Sequence, residues 1–186
     1  MAIAGAATGA AAGAIGFLTT KTFSAASDLE LLNSKIDNVF GDSVGTINDW
    51  ADNLSVRLGM TSTQLAGAAS SFGDVLVPMG FTQEAAANMS TEVIGLSGAL
   101  SEWSGGTKSV ADVSEILTKA MTGEVEGLKS LGVVLSAARI ETEMLALSEA
   151  GMAGATEQQT KALAIQSLVM KDTEACLLYT SDAADE

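Results

Sequence analysis

Two carboxylates two residues apart, Glu124 and Glu126, stand inside the stretch MTGEVEGLKSLGVVLS (121–136), between Gly123 and Gly132. A pair of acids can drive acid–base hydrolysis when both converge on one substrate. On a helix, residues two apart point roughly 200° from each other, so these two diverge. Val125, Leu128 and Leu131 instead share one face at three-residue spacing, with Lys129 beside them. Gly123 can take the positive φ that ends a preceding helix. Glu124 and Glu126 then suit the positive end of the next helix dipole. Gly132 stops that short helix, and VVL runs extended toward a cap at Ser136. Every residue has a backbone or packing role, so the stretch reads as a corner between helices.

Other chemistry fails on residue type. Serine and threonine are abundant, but a hydroxyl nucleophile needs a base, and the chain contains no histidine. That absence also removes the commonest metal ligand. SGGTKS (104–109) hints at a phosphate loop, yet it lacks the Walker spacing and a preceding strand. It reads as a connection between helices. One cysteine, Cys176, excludes an internal disulfide. Trp50, Phe72 and Trp103 fall on apolar stripes and are expected as core anchors. The eight methionines provide adaptable packing and would suit a surface that meets several partners. No catalytic residue, cofactor or metal ligand is assigned, and the chain is not expected to be an enzyme.

The elements that position these residues come from a chain of 186 residues, long enough for one domain with a core. Aromatics are 4%, and much of the 47% hydrophobic share is alanine. Small side chains let helices approach closely but bury little area each. Modest stability is expected, with partners or self-association supplying the rest. The formal charge is −14, and nine Lys and Arg are scattered singly, which excludes a phosphate-binding surface. Sequence-specific nucleic acid binding is therefore not expected. Acidity favours solubility, and it would also repel an acidic wall or nucleic acid nearby.

The chain divides into three parts. Residues 1–22 open with MAIAGAATGAAAGAIGFL, uncharged and rich in Ala and Gly. Gly5, Gly9 and Gly13 at four-residue spacing would admit a close helix neighbour, in protein or in lipid. No basic start marks a secretory signal. Residues 23–175 follow a 3.6-residue period. Ile36, Val39 and Phe40 lead to a stop at Gly41. Val44, Ile47, Trp50, Leu54 and Leu58 form a stripe ending at Gly59, and Thr61 with Gln64 has a capping-box pattern. Leu65, Ala68, Phe72, Val75 and Met79 form the next stripe. Ala86, Met89, Val93, Leu96, Leu100 and Trp103 follow Thr82, and then Val110, Val113, Ile116, Leu117 and Met121. Hydroxyl starts and glycine stops repeat through the last two runs. The expected class is all-α: several short-to-medium amphipathic helices folded back on one another, preceded by an Ala/Gly-rich apolar helix. Residues 176–186, CLLYTSDAADE, resemble the translation of a transposase-type sequencing adapter. They are read as a non-native tail on a fragment cut near Ala175.

Three blocks in order, VFGDSVGTINDWADNLSVRLGMT, FGDVLVPMGFTQEAAANMSTEVIGLSGALSEW and LTKAMTGEVEGLKSLGVVLS, resemble the core of phage tail tape measure proteins. The family's Gly-Glu-x-Glu-x-Leu-(Lys/Arg)-x-Leu-Gly-(Ile/Val) motif is matched by Gly123, Glu124, Glu126, Leu128, Lys129, Leu131, Gly132 and Val133. Gly127 stands where the family usually has proline, which loosens the corner. The likeness spans about residues 23 to 172. It implies a virion structural protein: a helical scaffold in the tail tube that sets tail length and supports assembly and DNA ejection. It implies partners among tail tube protein, tail-assembly chaperones and tail-tip proteins, and a homo-oligomer in the tail. Localisation would be the virion, with the host cytoplasm during assembly and host membrane contact during ejection. Residues 1–18 leave a second expectation open, a membrane-active helical protein such as a pore-former or secreted effector.

Overall fold

The computed structural model describes the backbone of residues 29–182 and side chains as far as residue 174. The Ala/Gly-rich segment 1–22 lies outside the described residues. Two compact units divide the chain, Met1–Lys35 and Ile36–Glu186. The described part of the first, 29–35, is helical. The second opens with helical residues 36–40 (α1) and a 3-10 turn, Gly41–Ser43. It continues through α2 (Val44–Leu58), α3 (Ser62–Leu76), α4 (Gln83–Trp103) and α5 (Val110–Met121). A 3-10 helix, Val125–Leu131, then leads to α6 (Ala137–Glu149) and α7 (Glu157–Asp182). No strand occurs among the described residues, and the helices pack back on one another as the all-α expectation has it.

Local chemistry sets the helix starts. Thr61 Oγ1 accepts from Gln64 N at 3.2 Å while Gln64 Oε1 accepts from Thr61 N at 2.9 Å. Ser109 with Asp112 and Thr156 with Gln159 make the same reciprocal pair. Ser109 and its neighbour Lys108 also hold the Asp112 carboxyl below its usual range, the hydroxyl hydrogen bond contributing most. Thr82 and Ser136 cap with the hydroxyl alone, accepting from Ala85 N and Arg139 N. Each cap satisfies an N–H that the helix leaves unpaired and is worth about 1 kcal/mol. At the other end of α2, Gly59 adopts φ 61° and closes the helix on Ser55 and Val56 carbonyls.

α4 is the hub, packed against α2, α3, α5 and α7. Its buried positions, from Ala86 to Leu100, spread beyond a single stripe. Several are small or hydroxylated, which lets neighbours come close. Ser90 and Ser97 donate into their own helix, to Ala86 O and Val93 O. Ser114 of α5 places its Oγ 2.7 Å from Val110 O and 2.9 Å from Ser97 Oγ. Buried hydroxyls are thus satisfied at the α4–α5 contact rather than left as a cost. Gly98 meets the Leu58 side chain where a Cβ would stand. Gly73 of α3 does the same for α1: a Cβ there would lie 2.5 Å from Val39 Cγ1 and 2.7 Å from Phe40 Cε1. Valine and a buried ring yield poorly. Gly73→Ala should therefore lose about 1 kcal/mol net, overpacking exceeding the helix-propensity gain. Urea titration checks it; a stabilised variant would mean α1 is not held against α3.

Two expected anchors need correction. Phe72 is fully buried, but Trp50 is half-buried and Trp103 is 53% exposed. Ala51, one residue on from Trp50, takes the inner position behind Ile47, one turn from it on the same face. Trp103 ends α4, whose 21 residues reach about 31 Å, some 9 Å more than a 15-residue flanking helix such as α3. The α3 stripe is likewise turned by one residue: Ala69 and Leu76 are fully buried, whereas Ala68, Val75 and Met79 are half-buried.

Candidate functional site

The corner at 121–136 is built as a bend. α5 ends at Met121, and Thr122, Gly123 and Glu124 return their N–H groups to Lys119, Ala120 and Lys119 carbonyls. Gly123 has φ 99°, a conformation that L side chains rarely adopt. Lys161 of α7 covers it, with Nζ 3.0 Å from where a Cβ would stand. The next segment is a 3-10 helix, whose period of three aligns Val125, Leu128 and Leu131 on one side. Leu128 and Leu131 are buried and pack with α5. Gly132, at φ 81°, stops the helix, and Val133 N donates to Leu128 O at 3.1 Å. Val133 and Leu135 then face inward with Val134 outward, the alternation of extended backbone.

The charged residues of the corner do not gather. Glu124 precedes the 3-10 helix without a side-chain cap bond. Glu126 pairs with Lys129 at 2.6 Å, both side chains largely in solvent. Lys119 pairs with Glu115 one turn earlier, and that hydrogen bond raises its ammonium pKa, with Glu124 adding a weaker pull. Gly127 is not among the positive-φ glycines; a Cβ there would stand 3.3 Å from Ile116 Cγ2. Among the described residues, no three His, Cys, Asp or Glu side chains lie close enough to hold a metal ion.

A second polar assembly, without a sequence signal, joins α6 to α7. Arg139 donates from Nη1 and Nη2 to both carboxylate oxygens of Asp172, at 2.9 and 2.8 Å, and from Nη1 to Val134 O. Glu143, only 11% exposed, accepts from Lys171 Nζ at 2.7 Å and Ser167 Oγ at 2.6 Å. The Lys171 bond, then the Ser167 bond, hold the Glu143 carboxyl below its usual range. The Arg139 bond does the same for Asp172, and Asp172 raises the guanidinium in turn. Both carboxyls are depressed on folding, so their contribution is present above the unfolded value near 4 and lost as pH falls through the folded value. Lys171 and Arg139 are themselves well exposed, which limits each bridge to about 1 kcal/mol. A Glu143→Gln, Asp172→Asn double variant should be less stable than the parent by about 1–2 kcal/mol at pH 7, with a smaller deficit near pH 3. Equal deficits at both pH values in urea titrations would reject that linkage.

Two concavities stand out among the described residues. One, about 390 Å³, is polar and sits by the 3-10 turn, with Asp42, Thr46, Glu84 and Asn88 among its walls. The other, about 460 Å³, is a mostly apolar groove between α6 and α7. No family model, curated protein or solved structure matches the chain.

Proposed function

We propose that this chain is a module of a phage or prophage tail tape measure protein, a virion structural part without catalytic activity. The order and spacing of the three sequence blocks, centred on the 123–133 motif, carry this assignment. Support comes from the use that six of the motif residues find. Gly123 and Gly132 take left-handed backbone, Leu128 and Leu131 are buried, and Glu126 and Lys129 face solvent as a pair. Acids spent on helix starts and surface pairs suit a scaffold better than a cleft.

In this proposal the module folds back instead of lying as one rod, so it contributes less length than the 1.5 Å per residue of an extended helix. Tail tube protein, assembly chaperones and tip proteins are its partners, further copies of the chain lie beside it in the tail, and the virion is its destination. No helix among the described residues is long and apolar enough to cross a membrane. Sequencing the gene with its flanks tests the assignment. Neighbours encoding tube, chaperone and tip proteins are expected, and a toxin–immunity pair would overturn it.

A further inference from the structure

We propose that the groove between α6 and α7 docks an amphipathic helix of a partner protein, one that inserts an aliphatic side chain flanked by lysine or arginine. α6 packs against α7 and against no other element to a comparable extent. Only Ile140 and Leu147 of its thirteen residues are buried. Its outer flank borders a groove of about 460 Å³, formed by Glu141, Met144, Leu145 and Ser148 with Glu157 and Thr160 of α7. Leu145 is 67% exposed in it, and Met152, 61% exposed, lies in the connection at the same end of the helix pair. The two hydroxyls are already used: Ser148 donates to Met144 O and Thr160 to Thr156 O. The floor is therefore apolar in effect and seeks a hydrocarbon rather than a polar ligand.

Charge selects the occupant. Among the described residues, Glu141 and Glu157 are the charged groups lining the groove, and neither is in an ion pair there, although Glu143 and Asp172 on the inner side of the same helices are both paired. Apolar floor between unneutralised carboxylates is the complement of a helix with a leucine-type stripe and basic flanks. A second copy of this chain is a poor fit, since it would bring another −14 against an acidic rim. An anionic lipid surface is disfavoured for the same reason. This docking does not depend on the tail assignment.

Fluorescence anisotropy of labelled synthetic helices against the full chain tests it. The three probes carry leucines on one face with lysines beside them, the same face with glutamates, and a scrambled lysine sequence. The first should bind about tenfold or more tightly than the other two. Leu145→Gln should weaken it about tenfold through lost apolar burial, and Glu141→Gln with Glu157→Gln about threefold in a salt-sensitive way. Val56→Gln, at the 90% exposed position on α2, should leave it unchanged. These side chains are exposed, so circular dichroism and Tm should not move. Equal binding of the scrambled peptide, no binding, or indifference to Leu145→Gln would overturn the proposal. So would a concentration-dependent dimer in sedimentation that Leu145→Gln abolishes, which would assign the groove to a second copy.

Discussion

Leu128→Ala should lower the unfolding free energy by about 2–5 kcal/mol, while Glu124→Gln and Glu126→Gln each shift it by less than about 0.5 kcal/mol. Leu128 is fully buried at the centre of the corner, and its carbonyl accepts the Val133 N–H that closes the bend. Truncation to alanine removes the contacts that hold the 3-10 helix to α5 and leaves a cavity beneath a segment of only seven residues. Such a short helix has little hydrogen bonding of its own to fall back on. The acids behave differently because Glu124 makes no side-chain cap bond and the Glu126–Lys129 pair is exposed. Exposed pairs contribute little. Urea titration followed by circular dichroism distinguishes the cases. A large loss from either glutamine variant with little from Leu128→Ala would mean that the acids, not the leucine, organise the corner.

Phe72→Ala should cost about 3–5 kcal/mol, several times the cost of Trp103→Ala, although tryptophan is the larger residue. Phe72 has no exposed surface and belongs to α3, which packs against α2, α4 and α5. Removing its ring opens a hole that three helices cannot collapse into without shifting. Trp103 keeps 53% of its surface in solvent at the end of α4, so only part of its transfer energy is at stake. Equal losses for the two variants in the same denaturation assay would restore Trp103 as an anchor.

What was legible in the sequence is what short-range physics decides. Caps such as Thr61 with Gln64 act across three residues, and glycine stops such as Gly59 act within one turn. The three-residue spacing of Val125, Leu128 and Leu131 carried the bend at 121–136 for the same reason. Which member of an adjacent apolar pair faces inward was not legible, because both lie near the same stripe. Ala51 over Trp50, Ala69 over Ala68 and Leu76 over Val75 were decided by which face of each helix meets its neighbours.

The sequence by itself determined the all-α class, the capped helix starts and the corner, since each depends on interactions between residues a few positions apart. Only the tertiary structure decided the α6–α7 ion pairs, whose Arg139 and Asp172 stand 33 residues apart, and the groove beside them. It also left Trp103 exposed at the end of α4. These features depend on which surfaces meet, and no local pattern encodes that.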